Sequence, residues 1–387
     1  MTIFKLTFSQ WTTLNSGSTE WLRGVYFTGI DTGYVVGYNG TILKTTNGNT
    51  WNSLTSPTSN NLHSVFFITK DIGFTCGVGG IILKTTNAGL TWTAQNSGTT
   101  SILHEVYFLD QNNGYIAGED GTILKTTNGG SFWASINPTG FTGLVSLFFN
   151  DVNTGYVTGL GTTDAIMKTI NGGTTWTDIH NNTTEEFASI YFTDLNNGYT
   201  VSSTTDNILK TTNGGSTWTQ QPSPTSGGLY SVKFSSANIG YIVGGYPSNG
   251  VVLKTSNAGT TWVQQNSSTT NSLFDIFLLN DNLGYAVGTN GTIIKMTNGG
   301  TSISELSNKI NLSIYPNPVS SNLFIDNLSN IKNLEMELVD ISGQILLKEK
   351  INLNTTSINI SKLANGIYTM KIQNEESSIS KKIIIAN

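Results

Sequence analysis

Thr41-Ile42-Leu43-Lys44-Thr45-Thr46-Asn47 is the stretch that decides the fold, because the chain repeats it. Its lysine returns in the same kind of setting as Lys84, Lys125, Lys168, Lys210, Lys254 and Lys295, at steps of 40, 41, 43, 42, 44 and 41 residues. Two other phrases keep phase with it. One is Gly-aromatic-x-x-Gly, as in Gly33-Tyr34 and Gly73-Phe74, whose last glycine becomes Ser202 in the fifth copy. The other is Val-x-Phe, as in Val25 to Phe27 and Val65 to Phe67. A fourth segment of the Thr91-Trp92-Thr93 type closes the period. Each period therefore holds four short runs of β-branched and aromatic residues, punctuated by Gly, Asn and Asp. Four strands in roughly 40–45 residues make a propeller blade. The 3.6-residue spacing of a helical repeat is absent. The sequence thus predicts an all-β chain: a seven-bladed β-propeller followed by a small β-sandwich domain.

The ends of the repeat supply a second argument. Trp51, Trp92, Trp133, Trp176, Trp218 and Trp262 follow the first six lysines, but the seventh unit ends Asn298-Gly299-Gly300-Thr301-Ser302 with no Trp. Trp11, in Gln10-Trp11-Thr12-Thr13-Leu14-Asn15-Ser16-Gly17, reads like the missing strand. The expected propeller spans residues 10–305, closed by that N-terminal strand so that no sheet edge is left open. Residues 1–9, inside the apolar stretch MTIFKLTFSQ, read as a signal-peptide remnant or as an ordinary first strand.

Composition narrows the function classes. Charged residues are 11% of the 387, against roughly 25% for an average soluble domain, so the surface must be rich in Thr, Ser, Asn and Gly. The net charge is -5 and Arg23 is the sole arginine. That argues against nucleic acid, which wants a basic stripe, and against anionic membranes. Cys76 is the single cysteine, so no intrachain disulfide can form. No run is apolar and long enough to span a bilayer.

Thr85-Thr86-Asn87-Ala88-Gly89-Leu90-Thr91-Trp92 resembles the Asp-box of bacterial neuraminidase repeats, with Asn in the Asp position. With the Gly-Tyr-x-x-Gly segment, the whole period is similar to the photosystem II assembly factor family of propellers, over about residues 10–305. That resemblance is specific for fold and says much less about function. The Asn and Gly of the box have a structural reason to be there: Asn caps its own backbone and Gly accepts positive φ. Asp110, Asp151 and Asp194, before the Gly-Tyr segments, are expected to cap turns in the same way.

After Ser307 the repeat stops. Ile314-Tyr315-Pro316-Asn317-Pro318, Val339-Asp340-Ile341-Ser342-Gly343, Leu363-Ala364-Asn365-Gly366-Ile367-Tyr368 and Lys381-Lys382-Ile383-Ile384-Ile385 follow in order. This set resembles the type A sorting domain of the type IX secretion system, over residues 306–387. The resemblance implies export across the outer membrane, with the secretion machinery as partner and a secreted or cell-surface location.

Three kinds of enzyme chemistry each demand a residue set. A sialidase-like site needs an arginine cluster, and only Arg23 is available. A glycosidase needs two facing carboxylates; Glu105, Glu119, Asp120, Asp164, Glu185, Glu186, Asp206 and Asp275 are available, but no motif fixes a pair. Metal chemistry wants clustered ligands, and His63, His104 and His180 are not at ligand spacing in sequence. The expectation is therefore no catalytic residue, no metal and no cofactor. One position does invite a ligand. His63 and His104 stand two residues before the Val of the first strand, where the other blades carry Arg23, Val145, Ala188, Tyr230 and Phe274. This ring varies while the framework is constant, as expected if the framework holds and the ring selects. Arg23, His63, His104, Tyr230 and Phe274, with Tyr246 in a longer loop, are the candidate ligand-binding residues. The reading is a monomeric, non-catalytic propeller that binds an extracellular protein or glycan through one face. Its rivals are a glycan hydrolase with paired acids at the channel mouth and a purely structural adhesion protein.

Overall fold

The computed structural model describes residues 11–136, 143–159, 164–181, 185–246, 249–296, 312–315, 319–327, 334–340, 344–351, 355–373 and 378–385. Residues 1–9, where the signal remnant was placed, lie outside them. The chain forms two compact units, Met1–Gly299 and Gly300–Asn387.

Among the described residues, the first unit holds seven four-stranded antiparallel sheets. Blade one runs Leu22–Phe27, Gly33–Gly37, Ile42–Thr45 and Asn52–Ser53, hydrogen-bonded in that order. The next five blades repeat the pattern. The seventh takes Leu273–Asn280, Leu283–Gly288 and Ile293–Met296 from its own repeat and its outermost strand, Trp11–Leu14, from the other end of the unit. Trp11 lies opposite Met296 and Leu14 opposite Ile293.

The repeated phrases are the glue between blades. Each hydrophobic cluster of this unit draws on two neighbours: Tyr34, Val36 and Ile42 of blade one pack with Leu62, Val65, Phe67 and Trp92 of blade two. Tyr34 stacks on Phe67 with centroids 4.0 Å apart, and Tyr115 on Phe149 and Tyr156 on Phe192 repeat that distance. Such pairs add about 0.5–1.5 kcal/mol beyond the area they bury. In the first six blades the fourth-strand tryptophan then meets the same phenylalanine edge-on, as Trp92 does Phe67 at 6.1 Å.

The lysine that marks the repeat reaches into the next blade. Lys44 Nζ donates to the Ala88 carbonyl at 2.7 Å, and Tyr34 Oη donates to the same oxygen at 2.9 Å. Lys125 with Tyr115 on Gly172, and Lys168 with Tyr156 on Gly214, do likewise. The accepting carbonyl belongs to the Asp-box turn. There Thr85 Oγ1 accepts from Gly89 N at 2.9 Å, Asn87 Oδ1 accepts from Thr91 N at 2.9 Å, and Gly89 sits at φ +79°. A Cβ at Gly89 would meet the Tyr34 ring at 2.9 Å, so glycine also lets the blades approach. The acidic turns are capped as the sequence indicates: Asp110 Oδ1 accepts from Asn112 N and Asn113 N at 2.7 and 2.8 Å.

The second unit is a pair of sheets. One orders Leu312–Tyr315, Asn322–Asn327 and Thr355–Asn359; the other orders Ile345–Ile351, Leu334–Val339, Gly366–Gln373 and Ser378–Ile385. Leu323 and Ile325 of the first share a core with Met336, Leu338, Met370 and Ile372 of the second.

Candidate functional site

Every inner strand of the propeller breaks register at the same place. The pairing skips from Leu22 to Gly24, Leu62 to Ser64, Leu103 to Glu105, Leu144 to Ser146, Phe187 to Ser189, Leu229 to Ser231 and Leu273 to Asp275. The unpaired residue of each bulge is Arg23, His63, His104, Val145, Ala188, Tyr230 or Phe274. Side chains alternate along a regular strand, so two successive residues cannot both face the channel. A bulge re-aims one of them. Both members of each pair except Gly24 accordingly line one cavity of about 400 Å³ at the mouth of the central channel.

The outer layer is cationic and aromatic on one side. Arg23 lies over the Phe274 ring with its guanidinium carbon 4.4 Å from the centroid. Tyr230 meets Phe274 edge-on at 5.4 Å. Trp21, 36% exposed, stacks on Tyr38 at 5.3 Å and leans on Phe274 at 5.6 Å. Beyond Tyr38 come the nearly parallel rings of His63 and His104, 5.2 Å apart. Burial and the nearby Arg23 charge hold His63 down to about 3 and His104 down to about 4, so both are neutral at ordinary pH. His63 Nδ1 and His104 Nε2 are buried without a hydrogen-bond partner; Glu119 Oε1 stands 3.6 Å from the latter.

The next layer down is structural. Ser64 Oγ accepts from Val106 N, Glu105 Oε2 from Leu147 N, Ser146 Oγ from Ile190 N, Ser189 Oγ from Val232 N and Asp275 Oδ2 from Val25 N, at 2.7–3.3 Å. Each bond reaches a neighbouring blade. Gly24 has no side chain in this layer, because a Cβ there would meet the His63 carbonyl at 3.0 Å. Asp275 Oδ1 also accepts from Ser231 Oγ and Ile276 N. Burial pushes the Glu105 and Asp275 carboxyls up, and Lys233 pulls both back toward ionisation. Below them Tyr26, Phe66, Tyr107, Phe148, Tyr191 and Phe277 line a second cavity of about 280 Å³, with Lys233 in the seventh place. Lys233 Nζ stands 5.8 Å over Tyr191.

The structure therefore brings Arg23, His63, His104, Tyr230 and Phe274 together. Tyr246 ends the strand Gly240–Tyr246, and its side chain lies outside the described residues. Trp21 and Tyr38 stand at the rim of the mouth, against Phe274 and His63 of its lining, but escape a reading by repeat position, since neither stands in a repeated column. Their signal was adjacency: Trp21 and Tyr38 flank the first bulge in the fold, one before the inner strand and one after its partner. Among the described residues no group of three or more His, Cys, Asp or Glu side chains is placed to hold a metal ion.

The family model described as photosynthesis system II assembly factor YCF48 matches residues 4–99, 91–184 and 174–269. The chain belongs to that family. A secretion system C-terminal sorting domain matches residues 313–386, which marks this member of the YCF48 family as cargo of the type IX system, found at the cell surface or outside the cell. No helix of the described residues is long and apolar enough to cross a membrane. No curated protein matches the chain. Among solved structures, YCF48 bound to D1 peptide is 20% identical, with TM-score 0.64 over 76% of this chain and 96% of that one. PorZ, a surface component of the type-IX secretion system of Porphyromonas gingivalis, is 14% identical, with TM-score 0.55 over 97% and 60%. A GH74 xyloglucanase from Xanthomonas campestris is 11% identical, with TM-score 0.59 over 82% and 59%. At these identities the likeness is one of fold.

Proposed function

We propose that this exported propeller is a non-catalytic binding module whose channel mouth receives an extracellular partner. The observation that carries the reading is the bulge ring: seven side chains freed from sheet pairing are gathered into one cavity, on a framework whose own side chains are occupied in joining blades. The use of the same fold by YCF48 to hold a peptide supports it. Three acids line the cavity, Glu105, Glu186 and Asp275, and against hydrolysis stands the state of two of them, which leaves Glu186 without a second free carboxyl. Asp275 spends both oxygens and Glu105 one on neighbouring hydrogen-bond donors. A glycosidase needs one carboxyl free to give a proton and another free to attack or to activate water.

The test is a glycan and surface-protein binding screen on the full chain, with Tyr230→Ala and Phe274→Ala alongside. Partners lost in both variants support the mouth. Binding indifferent to both changes refutes it. Turnover of a glycan that Asp275→Asn abolishes, in a protein that still folds, would establish the hydrolase instead.

A further inference from the structure

Arg23 is the chain's sole arginine, and the fold places it in the wall of the mouth with no carboxylate within ion-pair distance among the described residues. Asp275 is near enough to be felt by it, but that carboxylate is committed to Val25 N, Ser231 Oγ and Ile276 N and shares its layer with Lys233. The guanidinium is a planar fork of donors with no acceptor. It lies against Phe274, which fixes its plane without using its N–H groups. A half-buried cation held in this way is prepared for an anion that the protein does not itself provide.

The rest of the mouth says what carries the anion. Trp21, 36% exposed, stands at the rim of the cavity, leaning on the same Phe274 ring that Arg23 covers and stacked on Tyr38. His63 and His104 add neutral polar nitrogens left without partners. Blade five lies across the channel from blade one, and there Glu186, Ser203 and Thr204 line the same cavity. Those groups accept or share hydroxyl hydrogens. A carboxylate-sized fork and a hydroxyl-matching wall in about 400 Å³, under an aromatic rim, describe one ligand class.

We propose that the mouth binds an acidic saccharide, a sugar ring bearing a carboxylate, with Arg23 on the carboxylate, Trp21 against the ring at the rim and blade five on its hydroxyls. This rests on the mouth being the binding site, and deepens that reading. A peptide's terminal carboxylate would satisfy Arg23 but would leave the aromatic rim and the hydroxyl wall without a role.

Calorimetric titration of the full chain with digalacturonate, with its dimethyl ester and with tetraalanine bearing a free carboxyl terminus decides the matter. Digalacturonate is expected to bind, and esterification to weaken it tenfold or more, as loss of a charge-assisted pair does. Arg23→Gln should erase the difference between acid and ester, Arg23→Lys should restore part of it, and Trp21→Ala should weaken both sugars. Circular dichroism establishes that each variant is folded. Equal binding of acid and ester overturns the acidic class and leaves the mouth intact. Arg23-dependent binding of tetraalanine with none of the sugars overturns the saccharide. Acid binding that survives Arg23→Gln, Trp21→Ala and Phe274→Ala places the site elsewhere and defeats the mouth reading too. Failure of all three probes overturns this proposal, while the wider screen still judges the mouth.

Discussion

Lys125 and Gly172 are joined across a blade interface: Lys125 Nζ donates to the Gly172 carbonyl at 2.8 Å, and Tyr115 Oη donates to the same oxygen at 3.1 Å. Two donors on one carbonyl fasten blade three to the Asp-box turn of blade four. Lys125→Met removes the charged donor and should cost about 1–3 kcal/mol. Tyr115→Phe leaves the lysine in place and should cost less, about 0.5–1.5 kcal/mol. Denaturant unfolding of both single variants and the double variant measures this; a double variant equal to the sum of the singles would show that the two donors do not act together.

Adjacent residues of one bulge should behave in opposite ways. Ser189 Oγ accepts from Val232 N of the next blade at 3.2 Å, so Ser189→Ala leaves a buried amide unsatisfied and should cost about 1–3 kcal/mol. Ala188, its neighbour, is the unpaired bulge residue facing the cavity. Ala188→Gln should change stability by less than about 0.5 kcal/mol. Thermal unfolding of the pair distinguishes them, and comparable losses would deny that the bulge residue is free of structural duty.

Stability should fall with acid in a window set by two histidines. His63 and His104 titrate at about 3 and about 4 in the folded chain, below the ordinary value near 6.5. The unfolded chain therefore takes up protons that the folded chain refuses. Their contribution is complete above roughly pH 6.5 and is lost as pH falls toward about 4 for His104 and about 3 for His63, with a slope of at most about 1.4 kcal/mol per pH unit for each histidine. Glu105 and Asp275, pushed up by burial, work in the opposite sense, so the readout is the difference between the wild type and a His63→Gln/His104→Gln variant. The variant should show the shallower acid limb. Arg23→Gln should also raise both histidine values, which proton NMR reads directly in a chain with three histidines.

The ring is latched by its first strand. Trp11 is fully buried and packs with Tyr241, Val243 and Met296, and its ring meets Tyr241 edge-on at 5.9 Å. Trp11→Ala should cost about 3–5 kcal/mol and expose the edge of the last blade. Limited proteolysis should then cut first near Ile293–Met296; an unchanged cleavage pattern would argue that the seventh sheet holds without its outer strand.

The blade count was legible because each repeated residue type has a fixed duty at an interface: Tyr stacks, Phe receives, Trp meets it edge-on and Gly makes room. The site was legible only in part. Repeat position alone gathers Arg23, His63, His104, Tyr230 and Phe274, because equivalent positions in a ring face one axis. It does not disclose that His63 and His104 stack, since 41 residues separate them and only the closed ring makes them neighbours. The duty of Lys44 and its equivalents is equally invisible in one period, as the partner carbonyl lies in the next. Glu105 and Asp275 are two of eight acids that the sequence offers without pairing any, and only the hydrogen bonds they accept show them bound to the framework.

The seven bulges have a consequence for how such a protein can change. A residue that pairs with no strand can be exchanged without disturbing the hydrogen-bond ladder that holds its blade. The mouth is in effect a seven-letter word written on a support that does not read it. Arg, His, His, Val, Ala, Tyr and Phe is one spelling. Others can be composed one letter at a time, which gives both natural variation and laboratory libraries a route to new specificities that leaves the fold in place.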